Sequence, residues 1–150
     1  AQLPHAMEDV EFSERCRFFR LCCFSSYNLL IANFEEVLSM DTIIRETLRP
    51  FGITRCYKGF PLTVYAIHLA VMEEDRLEEI TEKIYRETAD HFGCKWTAVE
   101  RNLRTVVSRA WQVNPDLLCR MAGYPLTAAP TASEFIEIIA SYIIRSRQTS

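Results

Sequence analysis

Apolar residues in this chain recur at intervals of three and four, and no run alternates with a period of two. That regularity restricts the fold to helices packed on helices. It is clearest in "HFGCKWTAVERNLRTVVSRAW", His91 to Trp111. There Val99, Leu103, Val106 and Ala110 fall at i, i+4, i+7 and i+11 and form one apolar stripe. Thr97, Arg101, Arg104 and Ser108 repeat the same spacing about 200° around the helix. One face of this rod is suited to burial, and the opposite face presents two arginines a turn apart.

Helices are expected at roughly 8–24, 27–40, 42–50, 62–73, 76–92, 96–113, 115–121 and 132–146. Asp41 is expected to cap the third, with Pro50 and Gly52 marking its end. "YKGFP" (57–61) reads as a turn in which Gly59 is able to take a positive φ and Pro61 is suited to opening the next helix. "AGYPLTAAP" (122–130) reads as a loop, and "TASE" (131–134) as a capping box joining Thr131 to Glu134. The fold expected is all-α, a multi-helix bundle of 42–150 preceded by a helical arm, 1–41. The apolar stretch "FFRLCCFSSYNLLIANFEEVLSM" in that arm exposes too much to stand alone, so it should pack on the bundle or on a second subunit.

The 150 residues suit one domain with an appendage, and 49% hydrophobic residues with only four glycines supply a core. No stretch reaches the roughly 18 uninterrupted apolar residues that a membrane span needs. Phe18 to Phe34 comes nearest and is broken by Arg20, Ser25, Ser26 and Asn28. The opening "AQLPHAMEDVEFSE" lacks the basic and apolar regions of a secretory signal. A cytoplasmic protein with no membrane partner is expected. Its start at Ala1 fits either a removed initiator methionine or a missing upstream part. The six cysteines (16, 22, 23, 56, 94, 119) show no CxxC spacing and should be reduced thiols.

Charge is distributed unevenly. The chain carries −3 overall, which argues against bulk-charge binding to nucleic acid. Residues 73–90 hold eight acids and three bases, whereas 91–111 hold four bases and one acid. Ala89, Gly93 and Val99 supply the A-x3-G-x5-V core of a helix-turn-helix. The small alanine admits a second helix, the glycine turns the chain, and the valine anchors the second helix on the first. Periodicity alone fits a solvated helix face as well as a DNA-reading one. Arginine suits the second role because its planar fork can bond guanine O6 and N7 together. Glu100 suits either accepting from cytosine N4 or orienting Arg104 one turn on. Lys95 in the turn and Thr97 at the helix start are placed for phosphates. The acids of the preceding helix should face solvent.

From about Thr42 to Arg145 the chain resembles the C-terminal effector domain of the stage-zero sporulation master regulators (protein A), response regulators of endospore-forming bacteria. The resemblance rests on "FGI" (51–53), "KGF" (58–60) with "AIHLAV" after it, "ITEKIY" (80–85), "VERNLR" (99–104), "AW" (110–111), "GY" (123–124) and "PTASEFI" (130–136). It implies an all-helical bundle with a helix-turn-helix, winged-helix-like in class but without a clear wing. It also implies binding to short promoter boxes in double-stranded DNA as a homodimer, with a contact to RNA polymerase. Family base and phosphate contacts carry over to Thr97, Glu100, Arg101 and Arg104. Glu100, Arg101 and Arg104 are expected at bases, and Thr97, together with Lys95, Ser108 and Arg109, at the backbone. Family members usually have an arginine where this chain has Ala98 and a histidine where it has Thr105, so affinity or box preference should differ. Arg109 is an extra base suited to compensating at the backbone. The loop after Tyr124 is shorter and lacks a lysine. Residues 1–41 are too short for the family's phosphorylatable receiver domain. The rival expectation is a receiver-less interaction module that dimerises with a full-length regulator and modulates its DNA binding.

Other residues point elsewhere only weakly. His91 and Cys94 lie three apart, but no second pair has ligand spacing, so neither a metal nor a cofactor is expected. His68 is expected as a partly buried helix residue, and Trp96 and Trp111 as pins for the two ends of the arginine-bearing helix. No nucleophile–base set, phosphate-cradling glycine loop or apolar carboxylate pair is present, and no enzyme activity is expected.

Overall fold

Three apolar residues at i, i+4 and i+8 decide how the first helix runs. In the computed structural model, which describes residues 27–149, Met40, Ile44 and Leu48 are all buried along one side of α1 (Tyr27–Leu48). The helices expected at 27–40 and 42–50 are one, because the apolar stripe passes through Asp41 without interruption. Asp41 caps nothing; its Oδ1 lies 3.1 Å from Nδ1 of the buried His68. The helix expected at 8–24 lies outside the described residues. A short 3₁₀ turn, Arg49–Phe51, follows α1 and closes on Gly52, whose N–H bonds to the Arg49 carbonyl.

The second of the chain's two units, Met40–Ser150, holds the buried core. Its centre is α2 (Phe60–Met72), in which ten of thirteen residues are buried. A helix apolar on all sides needs neighbours on all sides, and α2 packs against α3, α4 and α6. Pro61 opens it as expected, but Gly59 has φ −76° rather than a positive value. The reason for glycine is close approach. A Cβ there would lie 3.0 Å from the backbone oxygen of Asn102 and 3.2 Å from Val106 Cγ2.

The single helix expected at 76–92 is divided. A 3₁₀ stretch, Glu74–Glu79, passes into a π-helical turn, Thr81–Tyr85, and then into α3 (Arg86–Phe92). The wider π turn lets the adjacent Ile84 and Tyr85 both reach the core. Arg76 braces the segment by bonding the Lys83 carbonyl at 3.1 Å, Glu73 at 2.8 Å and the Glu87 carboxylate. The hydrogen bond to Glu73, with the two carboxylate charges, holds the Arg76 guanidinium above its ordinary value against a smaller opposing effect of burial.

After α4 (Trp96–Val113), Asn114 accepts from the Leu117 N–H and so caps α5 (Pro115–Ala122). The loop then leads to α6 (Ala132–Gln148), whose capping box forms as expected. Thr131 N–H donates to Glu134 Oε2 at 2.8 Å, and Glu134 N–H donates to Thr131 Oγ1 at 3.2 Å. Phe135 on α6 meets Phe51 edge to face with centroids 6.5 Å apart. Among the described residues there is no strand, and the bundle is all-α.

Candidate nucleic-acid interface

Two helices and a three-residue turn build the candidate interface. α3 ends at Gly93 with φ +67°, a left-handed conformation that costs an L side chain about 1–2 kcal/mol. Cys94 N–H then returns to the Ala89 carbonyl at 2.9 Å, closing the helix end. Ala89 is buried at the crossing of α3 and α4, and Val99 is fully buried beneath α4. These are the three roles expected of Ala89, Gly93 and Val99.

Along α4, Val99, Leu103, Val106, Val107 and Ala110 are buried. On the far side Lys95, Thr97, Arg101, Arg104, Thr105 and Ser108 are all exposed. The Arg101 side chain makes no hydrogen bond or ion pair with any described residue, while the Arg101 carbonyl accepts the Thr105 hydroxyl. Arg104 differs. Its Nη2 lies 2.5 Å from Glu100 Oε1, although the arginine side chain remains 69% exposed. An exposed i, i+4 pair of this kind stabilises a helix by only about 0.3–0.5 kcal/mol, so a stronger partner can displace it. Glu100 is thus paired with Arg104 one turn on. Arg109 is exposed on the flank beside Gly52, where a Cβ would lie 3.5 Å from its Nε.

Residues 44–143 of the chain, two thirds of its length, match the family described as Sporulation initiation factor Spo0A C terminal. The chain belongs to this family. It is a DNA-binding effector domain of a response regulator in sporulation, and α3 with α4 forms its helix-turn-helix. The acids of the segment leading into this motif are exposed, apart from a half-buried Glu87. No described helix is long and apolar enough to cross a membrane.

The flanks of this family member's α4 were not legible in its sequence. On one side Tyr85, Glu100, Arg104, Ser108, Thr131 and Ser133 line an open cleft of about 620 Å³. Tyr85 hydroxyl and Ser133 Oγ are 3.2 Å apart within it, and burial raises the Tyr85 phenol above its ordinary value. Those two residues are 48 apart in sequence, and no local spacing pairs them. Trp111 packs partly buried against the core as expected, but Trp96 is 37% exposed because it precedes the first buried residue of the stripe. His91 stacks on Tyr65 at 4.1 Å, and among the described residues no three His, Cys, Asp or Glu side chains gather as a metal site.

Proposed function

We propose that this domain regulates transcription by binding short promoter boxes as a homodimer, with α4 in the major groove. Arg101 and Arg104 read guanines, and Glu100 sets which fork geometry Arg104 presents. Lys95, Thr97, Ser108 and Arg109 hold phosphates. Residues 42–150 are the binding module and 1–41 an appended segment. The role is non-enzymatic and cytoplasmic, with RNA polymerase as a further protein contact. The observation that carries this reading is Arg101, exposed and unpaired on the face opposite a fully buried stripe. A rod of 18 residues at about 1.5 Å each is about 27 Å long, enough to lie in a groove about 12 Å wide. Lys95 supports the phosphate role. Its carbonyl accepts the Ala98 and Val99 N–H groups, and the exposed residues 95–97 open the helix.

The test is selection of a preferred box from random duplexes, followed by binding of Arg101→Ala to that box. The variant is expected to lose about 1–3 kcal/mol on the selected sequence. It should lose much less on unrelated duplexes, because a base contact carries sequence information and a phosphate contact does not. The rival reading, an interaction module that dimerises with a receiver-bearing regulator, draws on Ala98 and on the Arg104–Glu100 pair. It stands instead if no box is enriched, no duplex binds at low salt, and the chain co-purifies with such a regulator.

A further inference from the structure

A second block of positive charge lies outside the contacts assigned above. Residues 45–58 contain Arg45, Arg49, Arg55 and Lys58 against a single acid, Glu46, and all four bases are exposed. Glu46 is taken up by Arg49 at 3.3 Å. Arg55 and Lys58 make no hydrogen bond or ion pair with any described residue. The loop that carries them is held in place. Tyr57 N–H bonds to the Thr54 carbonyl at 3.1 Å, Phe60 N–H bonds to the Tyr57 carbonyl at 3.0 Å, and Phe51 and Ile53 are buried.

Its two glycines lay this loop along α4. Gly59 approaches Asn102 and Gly52 approaches Arg109. At 3.6 residues per turn, Asn102 and Arg109 lie within about 20° of each other and about 80–100° from Arg101. The loop therefore borders the face assigned to the bases and does not sit behind it. A helix about 10–12 Å across fills a major groove about 12 Å wide, so whatever flanks the helix meets a phosphate strand. The opposite flank offers no comparable charge. Apart from Arg104, the cleft there is lined by neutral residues and Glu100.

We propose that the loop between Gly52 and Gly59 is a second backbone clamp, in which Arg55 and Lys58 bind phosphodiesters of one DNA strand alongside Arg109. This rests on the docking of α4 proposed above. The contact is one-sided and sequence-independent, and it adds to the positive charge facing DNA in a chain whose net charge is −3.

The experiment measures binding of the full chain to its selected box and to an unrelated duplex of equal length across a salt series. Arg55→Ala/Lys58→Ala is expected to lower the log–log salt slope by about 1.8, at about 0.9 for each phosphate released. Affinity should fall alike on both duplexes, with the preferred box unchanged. Arg55→Lys/Lys58→Arg should behave as wild type. The clamp is overturned if the alanine variant keeps the wild-type slope while Arg101→Ala loses its box, or if the charge-conserving variant loses as much as the alanine one. A wild type that binds neither duplex at low salt overturns the docking, and the clamp with it.

Discussion

His91, at the C-terminal end of α3, shows how one side chain of the helix-turn-helix bears on stability. Its ring lies flat on Tyr65, and burial holds the imidazole below its ordinary value of 6.5 while the Glu87 charge opposes the shift. The folded domain thus takes up this proton less readily than the unfolded chain does. Stability from the neutral ring is complete above 6.5 and is lost as pH falls from there through the lower folded value. Urea unfolding at about pH 7.5 and about pH 5.5 should show a loss of stability in wild type that is smaller in His91→Phe, which keeps an aromatic ring on Tyr65. Equal losses in the two proteins would remove His91 from the account. At the same scale the forks of Arg101 and Arg104 differ in a way that residue types do not reveal. Both are exposed, yet one is held by a carboxylate a turn away and the other is not. The spacing of Glu100 and Arg104 made that pair foreseeable, whereas nothing local made the stacking of His91 on Tyr65 so.

Among the elements, α4 was the most legible because its burial follows its own 3.6-residue repeat. The residues that sequence spacing put on its apolar stripe are those found buried, with Val107 added beside them. The breaks between elements were less legible. A capping residue such as Asp41 is only an opportunity, and the continuing stripe of Met40, Ile44 and Leu48 overrides it. The π turn at Thr81–Tyr85 likewise answers to a core shared with other helices. Gly59 illustrates the limit best. Its sequence context marks it as a residue able to take a positive φ, whereas in the fold it needs the absence of a Cβ. Its φ of −76° suits any residue, so Gly59→Ala carries no backbone strain. The added methyl must instead push the carbonyl of Asn102, an atom fixed within a helix. Overpacking of this kind costs about 1–3 kcal/mol, a loss that chemical denaturation would resolve. An alanine variant as stable as wild type would show that the loop is not pressed against α4.

For the whole molecule, placement of charge matters more than its sum. The acids that make the chain −3 overall are concentrated in residues 1–41 and in the exposed segment before α4, while the bases gather on α4 and on the loop beside it. A duplex approaching α4 meets an attractive strip on a chain whose net charge is negative. Non-specific binding should be weak, and the specific complex should depend on geometry that presents the strip squarely. The homodimer proposed above would satisfy this by placing two strips on two boxes. Each subunit then releases its own counterions, so the salt slope counts subunits. A fragment with two boxes in the proper spacing should show about twice the log–log slope of a fragment with one, because the number of neutralised phosphates doubles. Shifting one box by half a helical turn, about 5 base pairs, turns its face away from the second subunit and should return the slope to the single-box value. If both fragments give one slope whatever the spacing, the domain binds as a monomer, and the symmetric arrangement on DNA is wrong.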